Sequence, residues 1–156
     1  MVKKTALTLI ILLTFSSPVF ARPDIKIDLS SKKVVTEKGK EILSDAKDAK
    51  PGDILIYTLK VMNKGDSPAK SLAPKGDIPA NTIYVPETHE SKEYKVLYSI
   101  DEGSTYQEIP TIKIKENGKQ VVKKAPVEMY KKIKWVFSRE LASKKSIELT
   151  YKVKIK

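Results

Sequence analysis

The spacing of the apolar residues constrains this chain more than any other feature. In the runs 25–29, 55–61, 133–137 and 147–155, apolar residues occupy every second position. A period of two places alternate side chains on the same face, so each run predicts a half-buried β-strand. No convincing amphipathic helix follows the N-terminal segment. The pattern therefore indicates an all-β protein.

Turn residues separate these runs at short intervals. Pro51-Gly52-Asp53 presets one backbone dihedral and admits a positive φ in the next residue. Asn117-Gly118 lies between two alternating runs and is a strong hairpin signal. We predict about seven to nine short strands in an antiparallel sandwich, because both faces of the sheet need cover.

Two segments carry weaker signals. Residues 32–50 are polar and highly charged, and we expect a short strand around Val34-Val35 followed by a loop. Residues 68–72 and 106–109 predict short strands, the first of them broken at Pro74.

The N-terminal segment has the three parts of a secretory signal peptide. Lys3 and Lys4 precede an apolar core at 6–15, and Val19-Phe20-Ala21 supplies small residues at the cleavage site. The apolar core is about half of the roughly 20 residues that a spanning helix needs. We expect cleavage after Ala21, leaving one domain over residues 22–156 with no transmembrane segment. The protein is then secreted to the periplasm or the cell surface.

One stretch of the chain resembles a known family. Residues 48–70 contain Pro51-Gly52-Asp53, an alternating strand with Tyr57, and then Asn63-Lys64-Gly65-Asp66. This pattern is similar to the conserved-repeat domain of unknown function number eleven of bacterial surface and envelope proteins. Residues 77–82 and 133–135 resemble later parts of the same domain, so the likeness spans residues 45–156. The resemblance implies an immunoglobulin-like fold and an extracytoplasmic setting, and it implies no chemistry.

The composition leaves little material for catalysis. The chain has no Cys and 1 His, which excludes disulfides, thiol catalysis and thiolate zinc sites. His89 lies in a polar loop near Glu87 and Glu90, but three ligands so close along one loop form a poor tetrahedral site. No EF-hand spacing, Gly-rich phosphate loop or Gly-x-Ser-x-Gly elbow occurs. We expect no cofactor, no metal and no enzymatic activity.

Two further features have a structural interpretation. The acidic pairs Asp45/Asp48 and Asp101/Glu102 fit a solvated surface better than a pair of glycosidase carboxylates. Trp135 shares its alternation with apolar neighbours, so we expect a core residue rather than a platform for sugar stacking.

The positive charge is concentrated in the final third of the chain. The formal net charge is +11, with 14 basic and 15 acidic residues in 22–112, and 14 basic and 4 acidic in 113–156. If the last two strands pair around a turn near Ala142, their lysines share one outer face and Lys132 faces Lys152. This possible polyanion-binding face consists of Lys132, Lys134, Lys152 and Lys154. Alternatively, these lysines protect a sheet edge and maintain solubility.

Three hypotheses for the function follow. The first is a secreted, non-enzymatic module with a structural, adhesive or binding role in the bacterial cell envelope. The second is a periplasmic binding or assembly factor that pairs a sheet edge with a partner segment. An uncharged edge would favour it, and a lysine-lined edge would count against it. The third is an enzyme acting on envelope polymers, which needs a cleft with several perturbed titratable groups. The partner is an unknown envelope protein or an acidic polymer, and no nucleic acid is expected.

Overall fold

The computed structural model describes residues 21–87 and 91–156. The predicted signal peptide up to residue 20, and His89, lie outside the described residues. The described chain contains ten strands and one 3-10 helix, η1 (Val127–Met129), and none of its helices is long or apolar enough to cross a membrane. The strands are β1 (Ile25–Glu37), β2 (Lys40–Ser44), β3 (Ile54–Asn63), β4 (Lys75–Asp77), β5 (Thr82–Val85), β6 (Tyr94–Ser99), β7 (Thr111–Glu116), β8 (Lys119–Lys124), β9 (Lys132–Phe137) and β10 (Ser146–Ile155).

Two antiparallel sheets form the body of the molecule. One has five strands in the order β2-β1-β3-β10-β5, and the other has three in the order β4-β9-β6. Strands β7 and β8 make a separate two-stranded ribbon around the Asn117-Gly118 turn. The prediction of an all-β antiparallel sandwich is confirmed. The described residues form ten strands, whereas about seven to nine were predicted.

The core lies between the two sheets and consists of the alternate residues that the sequence pattern selects. Trp135 is fully buried, and its ring centroid lies 6.0 Å from that of Tyr151 on the opposite sheet. Tyr57 stacks on the same tyrosine at 5.2 Å. The prediction that Trp135 is a core residue is confirmed.

Gly76 allows the two sheets to approach closely. A Cβ at this position would lie 2.9 Å from Cε1 of Tyr151 and 3.1 Å from Cγ2 of Ile133, so a larger residue would displace one of them. The hydroxyl of Tyr151 donates a hydrogen bond of 2.6 Å to the carbonyl oxygen of Asp77. Tyr151 thus joins β10 to β4 across the core.

The weaker sequence signals correspond to different structures. Residues 32–50 contain the end of β1 and all of β2, which pair as a hairpin instead of forming a loop. The predicted strands at 68–72 and 106–109 are reduced to isolated bridges, Ala69 to Leu141 and Tyr98 to Gln107. Pro68 and Pro74 have no N–H to donate, which limits the first of these segments to a single bridge.

The predicted pairing of the last two strands is wrong. β9 pairs with β4 and β6, whereas β10 pairs with β3 and β5. Residues 138–145 carry the chain from one sheet to the other. The apolar faces of β9 and β10 therefore meet across the core instead of lying side by side.

Candidate functional site

The four lysines proposed to bind a polyanion do not share a surface. Lys132 and Lys134 alternate with the buried residues of β9, so they lie on the outer face of the three-stranded sheet. Lys152 and Lys154 occupy the outer face of the five-stranded sheet. Because the two outer faces point in opposite directions, the expected four-lysine patch is not formed.

The two lysines of β9 have partners within the chain. The Lys132 ammonium pairs with the Asp77 carboxylate, which raises the pKa of Lys132. The Lys134 Nζ lies 4.0 Å from the centroid of the Tyr106 ring, a cation–π distance, and Lys75 lies 5.5 Å from the same centroid. These contacts fix β4 and the segment near Tyr106 against β9.

Lys152 is similarly engaged on the opposite face. Its Nζ lies 3.1 Å from Oε2 of Glu41 and 3.3 Å from Oε1 of Glu87, and only 20% of its side chain is exposed. The hydrogen bond to Glu41 is the main cause of its raised pKa. Lys154 is exposed and has no ion pair within the described residues. Three of the four lysines therefore hold strands together.

Asp101 organises a turn. Its carboxylate accepts hydrogen bonds from the Thr105 hydroxyl at 2.6 Å, the Thr105 amide at 2.9 Å and the Ser99 hydroxyl at 2.7 Å. The bond from the Thr105 side chain contributes most, and together these bonds lower the pKa of Asp101 to about 2. The interpretation of Asp101 as a merely solvated acid missed this role.

Aromatic residues close the sandwich beside β5 and β6. The hydroxyls of Tyr84 and Tyr98 lie 2.9 Å apart, and both rings pack against Tyr130. Burial is the largest cause of the raised pKa of each of these three tyrosines. The cluster stays neutral at ordinary pH and serves packing.

A recess of about 700 Å³ lies next to this cluster, and its wall includes two carboxylates. Glu87 pairs with Lys152 at 3.3 Å, and Glu108 pairs with Lys95 at 3.1 Å. Both acids therefore have cationic partners. Across residues 21–87 and 91–156, no three acidic or histidine side chains gather in a potential metal-binding group.

An uncovered apolar strip, formed by Ile27 and Leu29, lies on the core side of the five-stranded sheet. Ile27 pairs with Val61 and Leu29 with Leu59, whose side chains are buried, so all four point to the same side. Nevertheless, Ile27 is 46% exposed and Leu29 is 62% exposed. The expectation that this face of β1 is half-buried fails at these two positions.

The strip is exposed because the sheets differ in width. On one side, Tyr98 of β6 packs on Tyr84 of β5; on the other, β4 packs on Tyr151 of β10 through Gly76. The three-stranded sheet thus covers β5 and β10, and the side chains of Leu55, Leu59 and Val61 on β3 are buried as well. Among the described residues, no strand follows β4 to cover β1.

The side of β4 that faces away from β9 pairs with no strand among the described residues, and we call it the free edge. Leu72 and Pro74 accept hydrogen bonds of 3.0 Å from β9, and the amide of Ile78 donates one of 2.8 Å to the residue that precedes β9. In an antiparallel ladder, the intervening residues direct their main-chain groups to the other side. Residues 73, 75 and 77 therefore point theirs away from β9. Of these groups, the carbonyl oxygen of Asp77 already accepts the hydrogen bond from the Tyr151 hydroxyl.

The uncharged edge strand β5 is a weaker candidate for pairing with another segment. The main-chain groups of Thr82 and Tyr84 point away from β10, and the Thr82 amide already donates to the carbonyl oxygen of Pro79 at 3.2 Å. Helix η1 packs beside β5, and Tyr130 stacks on Tyr84 at 5.8 Å. The free edge of β4 is the better candidate for pairing with another segment, because the amides of Lys75 and Asp77 point away from β9.

No protein-family model matches this chain, and neither does any curated protein or solved structure. We therefore infer the function from the uncovered strip and the free edge.

Proposed function

We propose that this protein is a secreted, non-enzymatic, immunoglobulin-like module of the bacterial cell envelope that binds an extended segment of a partner protein. The signal-peptide pattern and the resemblance to the conserved-repeat domain support the setting, and the all-β sandwich supports the class of fold. The binding role rests on two observations, the uncovered apolar strip and the free edge of β4.

The two features act together in this proposal. A segment that pairs with residues 73–77 would extend the three-stranded sheet and lie about 10 Å above β1, the usual spacing of packed sheets. Its alternate side chains would point to Ile27 and Leu29. Because about half of each side chain is accessible, covering them contributes about 1–2 kcal/mol apiece. This is strand addition to an exposed sheet edge.

The side chains at the free edge of β4 indicate what kind of partner would bind there. Lys75 lies over the Tyr106 ring and Asp77 pairs with Lys132, so the charged side chains of the edge already have partners. Main-chain hydrogen bonds and apolar contacts are left to supply the affinity. The partner is therefore an extended segment with apolar residues at alternate positions, and salt should affect its binding only weakly.

The titratable groups support a role without catalysis. The pKa of Asp53 is lowered mainly by its hydrogen bond with Lys33, and the shifts of Asp101, Lys132 and Lys152 also come from local pairing. These four groups lie on separate strands and turns. The three tyrosines beside the recess have a raised pKa mainly because they are buried, which keeps them neutral. An enzyme acting on envelope polymers would instead need several such groups around one cleft.

The experiment is capture from an envelope extract with the secreted protein as bait. The variant Ile27→Lys/Leu29→Lys places charge on the uncovered strip. The control variant Leu43→Lys/Ile109→Lys makes the same change at two other exposed apolar positions. Wild type and control should retain the same protein, and the strip variant should lose it. Equal capture by both variants, or no capture by the wild type, would contradict the proposal.

A further inference from the structure

The ribbon of β7 and β8 stands apart from the sandwich. Each strand has six residues, and the two pair with no other strand among the described residues. The ribbon is thus about 20 Å long. It is attached at its base, where Ile112 packs against the core and the Ala125 amide donates to Pro110 at 2.8 Å.

The two faces of the ribbon differ in charge. Directly opposed residues share a face, so Ile112, Ile114 and Val121 lie together with the ion pair between Glu116 and Lys123. The other side, named the basic face, is exposed throughout. It consists of Thr111, Lys113, Lys115, Gln120, Val122 and Lys124.

The basic face combines unneutralised lysines with an apolar centre. It carries no acidic residue, and Lys113, Lys115 and Lys124 form no ion pair within the described residues. Val122 lies directly opposite Lys113 and is 63% exposed. A matching partner offers a dense array of anions and, within the same surface, an apolar layer.

We propose that the basic face docks on a bilayer of anionic phospholipid. The three lysines contact the lipid phosphates, and Val122 enters the boundary between headgroups and acyl chains. A hydrated acidic polymer supplies the anions but no apolar layer for Val122. A second copy of this chain is a poor partner because it carries the same positive excess.

The face differs from the four-lysine patch expected from the sequence, and it is separate from the uncovered strip. Vesicle binding and strand addition can therefore succeed or fail independently. Each lysine near an anionic surface contributes about a fivefold gain in binding, so losing three weakens it on the order of 100-fold. Replacing Val122 with Ser should weaken it by up to about tenfold.

The test is cosedimentation of the secreted protein with vesicles of phosphatidylcholine, with and without phosphatidylglycerol. The variant Lys113→Gln/Lys115→Gln/Lys124→Gln removes the charge of the basic face. The control variant has the same change in charge at exposed lysines elsewhere, as Lys70→Gln/Lys145→Gln/Lys156→Gln. Thermal unfolding of each variant checks that the fold is intact.

We expect wild type to bind only vesicles that contain phosphatidylglycerol, the control to lose little, and the ribbon variant to lose about 100-fold. Equal losses in the two lysine variants would show attraction by overall charge and overturn the proposal. Absence of wild-type binding would also overturn it. So would binding to soluble polyphosphate as tight as that to vesicles, with Val122→Ser unchanged, because a polymer would then be the partner.

Discussion

Replacing Trp135 with Ala should cost a large part of the stability of the sandwich. The side chain is fully buried and packs on Tyr151 of the opposite sheet. Truncation of a buried Trp destabilises a protein by about 3–5 kcal/mol. The indole Nε1 has no hydrogen-bond partner within the described residues, and its removal recovers part of a desolvation penalty of about 1–3 kcal/mol. We therefore expect a loss near the lower end, about 3 kcal/mol.

The variant Trp135→Phe separates the two contributions. It keeps an aromatic ring in the core and removes the unpartnered N–H, so its loss should be smaller, about 1–2 kcal/mol. Val122→Ala is the control, because its side chain is exposed and surface changes usually stay within about 0.5 kcal/mol.

Urea unfolding followed by circular dichroism measures these free energies without a tryptophan signal. The chain has 1 Trp, so wild-type fluorescence reports on this residue alone and should resist quenching by acrylamide. A loss below about 1 kcal/mol for Trp135→Ala, with ready quenching of the wild type, would refute the placement of Trp135 between the sheets.

Two further predictions concern the contact between the sheets at Gly76 and the turn that Asp101 organises. Gly76→Ala should lower the free energy of unfolding by about 1–3 kcal/mol in urea melts, because the added Cβ meets the Tyr151 ring at 2.9 Å. This loss should be smaller when Gly76→Ala is made in a Tyr151→Leu background. An equal loss in both backgrounds would argue against the clash. The pKa of Asp101 falls from 3.8 to about 2 on folding, so its contribution to stability is present above pH 3.8 and disappears as the pH falls toward 2. Asp101→Asn should therefore reduce the drop in melting temperature between pH 7 and pH 2, whereas Asp45→Asn serves as the control; an unchanged drop in the Asp101 variant would count against this role.

The strands with strict alternation were predictable because burial on one face imposes a period of two. Strand β2 was missed because Ile42 and Leu43 are adjacent and the surrounding residues are charged. The turn before it has Lys38 and Gly39 at φ of 49° and 78°, and a Lys-Gly pair is a weaker turn signal than Asn-Gly.

The layer to which a strand belongs did not follow from its pattern. Alternation tells which side chains of β9 and β10 are buried, but strands in the same sheet and strands in facing sheets share that pattern. The lysine partners were equally hidden, since Asp77 lies 55 residues from Lys132 and Glu41 lies 111 residues from Lys152. The charge excess of the final third did not show which lysines remain without an ion pair. Within the described residues, three of them, Lys113, Lys115 and Lys124, lie on the basic face of the ribbon.

The exposure of the uncovered strip also could not be predicted from the spacing of its residues. Ile27 and Leu29 have the spacing of buried residues, and their exposure depends on how many strands the opposite sheet contains. That number results from the pairing of segments far apart in the chain. The candidate site is therefore a property of the assembled sandwich.

Amide hydrogen exchange of residues 73–77 tests the binding role most directly. The protein is measured alone and with a synthetic peptide that reproduces the captured partner segment. We expect the amides of Lys75 and Asp77 to exchange fast in the free protein and to become protected by the peptide. The variant Ile27→Lys/Leu29→Lys should abolish this protection. Protection that appears at β5 or β6 instead, with the edge of β4 unchanged, would contradict it.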